Sequence, residues 1–258
     1  MKKIKSLYNA RFIVFSLVIQ DLKRRYRNSV LGIGWSLLTP LGLVAIIGVV
    51  YSQIFGQSMS SFVPYLFSGI IPWLFIVQCA EQGTMAFLAA EGYIKQTRTP
   101  IEVFPVRVAF GAFVNLLLSL LAYIVVSMFI LGAPITFNLV YLPLVLLVYL
   151  VFGVAIATLS GIINTYFRDY APIQTLALQG FFYGTPIIFQ VSLLRSGQFE
   201  WIYMYNPFYY LIELFRLPLI SNPTSAHVVE VALIIVAVIF LVSAILLRII
   251  GRKIAFKL

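Results

Sequence analysis

Lys23, Arg24, Arg25 and Arg27 fill four of five consecutive positions, and no charged side chain follows them until Glu81. Ammonium and guanidinium groups at that density, set directly against an apolar run, suit the anionic headgroups of a membrane surface. The remaining ionisable residues offer little to covalent chemistry. All eight carboxylates (Asp21, Glu81, Glu91, Glu102, Asp169, Glu200, Glu213 and Glu230) fall in connections or near the ends of apolar runs. A proton- or sodium-coupled carrier needs an ionisable or unwound site near mid-membrane, and that site is missing. His227 has no Cys, His or carboxylate at ligand spacing, so no metal site is expected. No nucleophile-and-base cluster points to catalysis. The phosphate-cradling pattern GxxxxGK[ST] is absent as well, so an ATPase site would belong to a different polypeptide.

The composition says what surrounds these residues. Hydrophobic residues make up 62% of 258 and charged residues only 10%, whereas a soluble domain carries roughly 25% charged residues. With a mean hydropathy of +1.01, the chain reads as an integral membrane protein. Long uncharged runs favour a helical bundle over a barrel, so the expected fold class is all-α. The net charge of +10 would suggest nucleic acid in a soluble protein, but these cations flank membrane segments and no nucleic-acid partner is expected. Cys79, alone in an apolar stretch, reads as small buried filler. No small-residue cleavage site follows the apolar patch 12–19, so a cleaved signal peptide is not expected.

Six runs are expected to span: residues 30–55, 62–90, 104–131, 139–163, 172–191 and 228–250. The second holds Pro64, Gly69, Pro72 and Gly83 and should be kinked or broken. With these spans, sixteen Lys and Arg residues lie on one side and only Arg195 and Arg216 on the other, which places both termini in the cytoplasm. Ahead of the first span, Val14, Phe15, Val18, Ile19, Leu22 and Tyr26 recur at spacings of three and four. They form one face of a helix suited to the cytoplasmic interface, the alternative being a plain basic anchoring flank.

Two connections exceed a turn. Residues 91–107, EGYIKQTRTPIEVFPVR, form an amphipathic cytoplasmic segment, either a docking site for a soluble partner or a solvated loop. Residues 192–227 hold YNPFYYLIELFR, where Asn206 caps a short helix opened by Pro207 and Glu213 stands three residues before Arg216. That helix is too short to span, so a re-entrant or outer-interface element is expected. Glu81 and Arg107 are a candidate intramembrane pair across the second-to-third connection, the alternative being independent snorkelling. Gly153, Ala157 and Gly161 form a small-residue face that lets another helix approach. Trp35, Tyr65, Trp73, Phe181, Phe182 and Tyr183 serve either as lipid-facing bulk and interfacial belts or as an aromatic pore lining.

With RYRNSVLGIGWSLLTP, YFRDY, FFYGTPIIF and YNPFYYLIELFR in this order, the chain resembles the membrane-spanning subunit of ABC-2-type polysaccharide exporters, the permeases for O-antigen, capsule or teichoic acid. A drug or small-lipid exporter of the same superfamily, or a membrane-embedded transferase, is the competing reading. The resemblance implies one transmembrane domain over residues 1–258: an interfacial segment at 1–29, spans one to five at 30–191, an extracellular gate segment at 192–227, and the sixth span with a basic tail at 228–258. It implies a homodimeric channel in the bacterial inner membrane, working with two copies of an ATPase subunit that carries the ATP and Mg²⁺; no cofactor is expected on this chain. Under it Lys23, Arg24, Arg25 and Arg27 lie on a gate helix that recruits a lipid-linked polysaccharide through its pyrophosphate. Tyr93, Lys95, Arg98, Pro100 and Glu102 would lie on the coupling segment. Trp35, Tyr65, Phe182 and Tyr183 would line the channel.

Overall fold

The structure is a computed structural model that describes residues 10–27, 29–97, 99–132, 137–191, 200–220 and 225–257. Every described element is helical. In chain order these are α1 (Arg11–Tyr26), α2 (Trp35–Ile54), α3 (Met59–Thr84), α4 (Glu91–Gln96), α5 (Val103–Ile124), α6 (Leu142–Tyr166), α7 (Tyr170–Gly184), α8 (Glu200–Met204), α9 (Pro207–Arg216) and α10 (Ala226–Lys257). Among the described residues, five helices are long and apolar enough to cross a membrane: Gly32–Ile54, Met59–Thr84, Val103–Ser127, Asn138–Tyr166 and Ala226–Gly251.

The expected fifth span, 172–191, is a shorter helix. α7 has 15 residues, or about 22 Å at 1.5 Å per residue, against a hydrocarbon core of about 30 Å. Thr185 is extended and precedes Pro186, which disfavours a helical residue before it. The apolar residues beyond it are buried in a turn, with Ile187 fully covered, so their hydropathy reflects packing rather than a crossing helix.

Pro64 and Pro72 do not break α3, which runs unbroken through both; the helix ends only at Thr84, ahead of a short 3-10 turn at Leu88–Ala90. α3 is the central helix, packed on by α2, α5, α6, α7 and α9. Its fit to α6 depends on missing side chains. A Cβ on Gly83 would lie 2.6 Å from the Ala157 Cα, one on Gly161 would lie 2.9 Å from the Gly83 carbonyl, and one on Gly153 would meet Phe75 and the buried Cys79. The small-residue face expected from the spacing is therefore where the central helix docks. Tyr149 adds a hydrogen bond from this helix pair to α9, its hydroxyl donating to the Leu211 carbonyl at 2.7 Å.

The bundle has two distinct ends. At one, α1 packs through Val14, Leu17 and Val18 on Val103, while Ile254 of α10 joins Phe87, Phe104 and Ile162. At the other, α9 covers the first half of α3, and the Tyr123 hydroxyl donates to the Leu219 carbonyl at 3.1 Å. The described ends of α1 and α10 thus share one end with α4 and the start of α5.

Candidate functional site

α1 is polar enough not to span and packs on one side only. Its buried face contains Val14, Leu17 and Val18, with Leu22 partly covered; Phe15, expected on that face, is 66% exposed and Leu17 takes its place. The Tyr26 side chain lies outside the described residues. Lys23, Arg24, Arg25 and Arg27 are exposed, the first three in the last turn, where cations also complement the helix dipole.

Arg107 does not pair with Glu81. Its Nε stands 2.9 Å from Asp21 Oδ2 on α1, with the N–H not aimed at that oxygen, so the attraction is Coulombic rather than a hydrogen bond. Glu81 instead accepts a hydrogen bond from the Thr175 hydroxyl on α7 at 3.1 Å. Hydropathy placed both residues at the right depth but could not say which way around the helix each one faces. Exchanging Asp21 and Arg107 is therefore expected to restore the thermal stability that either single reversal lowers, whereas exchanging Glu81 and Arg107 restores nothing. Melting curves of the four single and two double variants check both outcomes.

Behind α1 lie two adjoining cavities of about 650 and 430 Å³ that share Arg25, Gln78, Glu81 and Gln82. A chain of polar groups crosses the larger one. The Ser36 hydroxyl donates to Asn115 Oδ1 at 2.8 Å, and Asn115 Nδ2 donates to Gln78 Oε1 at 3.1 Å. Sequence reasoning missed these residues, although amides inside apolar helices are a usable signal because a polar group in hydrocarbon needs a partner. Nearby, Asn164 Nδ2 donates to the Thr84 carbonyl and Gln174 Nε2 to the Ser160 hydroxyl, which joins α3, α6 and α7 at the same end.

The four aromatic channel candidates do not converge. Trp35, 51% exposed, lines the larger cavity. Tyr65 belongs to the opposite end. Phe182 stacks edge-on with Tyr183 and tilts against Trp73, while Tyr183 is exposed on α7. Beside it an open cleft of about 520 Å³ is lined by Phe181, Trp201 and Tyr205.

The connecting segment opens with α4, where Lys95 pairs with Glu91 at 2.6 Å and Tyr93 is exposed. Pro100 and Glu102 are half-buried as the chain turns into α5, and Arg98 lies outside the described residues.

At the far end Arg216 is 3% exposed. Nη1 donates to Glu213 at 2.6 Å and to the Pro186 carbonyl at 2.9 Å, and Nη2 to the Ile187 carbonyl at 3.3 Å. The guanidinium also lies 3.8 Å from the Tyr65 ring centroid, and Tyr65 donates to the Phe189 carbonyl. Gly69 leaves room for it, since a Cβ there would come within 2.7 Å of Nη2. Asn206 caps α9 as expected, accepting from the Phe208 N–H, and its amide donates to the Thr185 hydroxyl at 2.8 Å. The sequence marked the Glu213–Arg216 pair and the cap. It did not reveal Tyr65, Gly69 or the 186–189 carbonyls, which are distant in sequence.

A profile of the ABC-2 type transporter family matches residues 13–220. The chain is 29% identical over 196 residues to an O-antigen export system permease protein RfbA of Myxococcus xanthus, covering 76% of this chain and 75% of that protein. Two proteins of the same description from Klebsiella pneumoniae are 28% and 26% identical over 217 residues, each alignment covering 83% of both chains.

Proposed function

Because the chain belongs to the ABC-2 type transporter family, we propose that it is the membrane-spanning subunit of an ATP-driven exporter that moves a lipid-linked polysaccharide across the cytoplasmic membrane. The observation that carries the reading is that relatives aligned over most of both chains are described as O-antigen export permeases. The chain is a transport component, and ATP is hydrolysed on a separate nucleotide-binding subunit.

The geometry suits this division of labour. α4 and the start of α5 share one end of the bundle with the described ends of α1 and α10, and this is the cytoplasmic end on the positive-inside rule. An ATPase docked on α4 pushes on a segment that runs within a few residues into α5. α5 in turn holds α1 through Val103, Val106 and the Asp21–Arg107 pair. Displacement of the connection therefore moves α1, whose Lys23, Arg24, Arg25 and Arg27 meet the diphosphate of the incoming lipid. At the outer end α9, too short to span, is a re-entrant gate element braced on α3.

A channel needs a second copy. α7 exposes Ile173, Leu176, Phe181 and Tyr183, and its Gly180 and Gly184 have no neighbour where a Cβ would point. This is the side that a homodimer covers, and coverage there lets a short helix count as a sixth transmembrane element. A Phe181 and Tyr183 lining accommodates a polymer sliding past without a fixed hydrogen-bond register.

Purification in mild detergent tests the reading. An ATPase subunit is expected to co-purify, and its hydrolysis is expected to depend on this chain. Changing Lys23, Arg24, Arg25 and Arg27 together to glutamine should leave insertion intact and sharply reduce export. Retained export in that variant would remove the phosphate role from α1.

A further inference from the structure

We infer that the cavity behind α1 binds the sugar ring next to the lipid diphosphate, while the diphosphate itself stays outside on the exposed cations of α1. The inference rests on the lipid-linked saccharide reading above.

Charge excludes the phosphate from the interior. The ionisable groups lining the two adjoining cavities are Arg25, Arg107, Asp21 and Glu81, whose formal charges cancel. Arg107 is already met by Asp21, and Arg25 is exposed alongside the other cations of α1, so the cavity interior has no surplus cation for a multiply charged anion. The surplus is on the outer surface, at Lys23, Arg24 and Arg27. A neutral, hydroxyl-rich group suits the inside better than an ion does.

Hydrogen-bonding capacity indicates the class. The relay from Ser36 through Asn115 fixes the Gln78 amide by its oxygen, and Gln78 Nε2 is buried and donates to no group among the described residues. A buried donor without a partner costs free energy that a ligand hydroxyl or amide oxygen would recover. Glu81 is held by Thr175, so an acceptor sits at a set position beside that donor. Trp35 contributes an apolar ring at the wall, the partner that the C–H face of a pyranose requires. Fixed amide groups, an oriented carboxylate and one indole form a saccharide site. The volume of about 650 Å³ falls within the range in which small-ligand pockets bury most of their occupant.

Full-length protein in lipid nanodiscs tests this with two probes: a short prenyl diphosphate bearing one N-acetylhexosamine, and the same prenyl diphosphate without sugar. Wild type should bind the sugar-bearing probe about tenfold more tightly, the difference expected from one or two hydrogen bonds and a stacked ring. Trp35→Ala and Gln78→Leu should each erase that preference while leaving affinity for the bare diphosphate unchanged, which also shows that the variants are folded. Trp35→Phe should retain the preference. Equal affinity for both probes in wild type, or a preference that survives in Trp35→Ala and Gln78→Leu, overturns the cavity assignment and leaves the export reading standing. Wild type that binds neither probe overturns both.

Discussion

Arg216→Leu is expected to lower the stability of the purified protein by about 3–5 kcal/mol, the usual cost of removing one partner from a buried ion pair. In a detergent melt this corresponds to a fall of roughly 10 °C in Tm. The reason lies in what the guanidinium satisfies at once: the Glu213 carboxylate, the Pro186 and Ile187 carbonyls, and the face of the Tyr65 ring. Leucine leaves the carboxylate and both carbonyls without that donor in a region shielded from water. Arg216→Lys keeps the charge but not the planar fork that spans three acceptors, so it should recover only part of the loss. Glu213→Gln should be milder than either, because the carbonyl contacts survive. If Arg216→Leu melts with wild type, the clamp contributes nothing and α9 is held by its apolar face alone.

Gly83→Leu is expected to prevent a folded, monodisperse protein from accumulating at all. The Cα of Ala157 stands 2.6 Å from where a Cβ would be, and its carbonyl oxygen 3.0 Å away, so the obstacle is backbone and cannot rotate aside. Gly83→Ala forces α3 and α6 apart by a fraction of an ångström and should cost about 1–3 kcal/mol, as overpacking does. Gly42→Ala provides the contrast. A Cβ there meets nothing within 4 Å, and exchanging glycine for alanine inside a helix should be neutral or favourable by up to about 1 kcal/mol in the isolated chain. Size-exclusion profiles of the three variants should show no monodisperse peak for Gly83→Leu, and melting curves of the two alanine variants should place Gly83→Ala below wild type and Gly42→Ala at or above it.

These two sites also show how far the sequence was readable. Small residues at four-residue spacing announced a close helix contact, and Gly153, Ala157 and Gly161 are where α3 docks. Asn206 before Pro207 announced a cap, and the Phe208 N–H is bound to it. In both cases the pattern is local, carried by one short stretch of chain. What was not readable depends on the direction in which a side chain leaves its helix. Glu81 and Arg107 lie at matching depths, yet α5 presents Arg107 to α1 and α3 presents Glu81 to α7. Tyr65 has the composition of a pore aromatic but spends its hydroxyl and its ring on the outer clamp. The end of the fifth apolar run was not readable for a different reason. Hydropathy counts Ile187 and Ile188 as membrane-crossing, whereas Thr185 and Pro186 turn the chain first and those residues are buried beneath neighbouring elements. The polar relay through Ser36, Asn115 and Gln78 has no motif because it joins three helices.

The central claim is that this chain is a conduit without a motor of its own. Proteoliposomes containing the purified chain and a fluorescent lipid-linked saccharide, with and without the co-purified ATPase, test it most directly. Translocation is expected only when both proteins and ATP are present, and an imposed proton or sodium gradient should have no effect on the chain alone. Gradient-driven accumulation by this polypeptide in the absence of the ATPase would contradict the account.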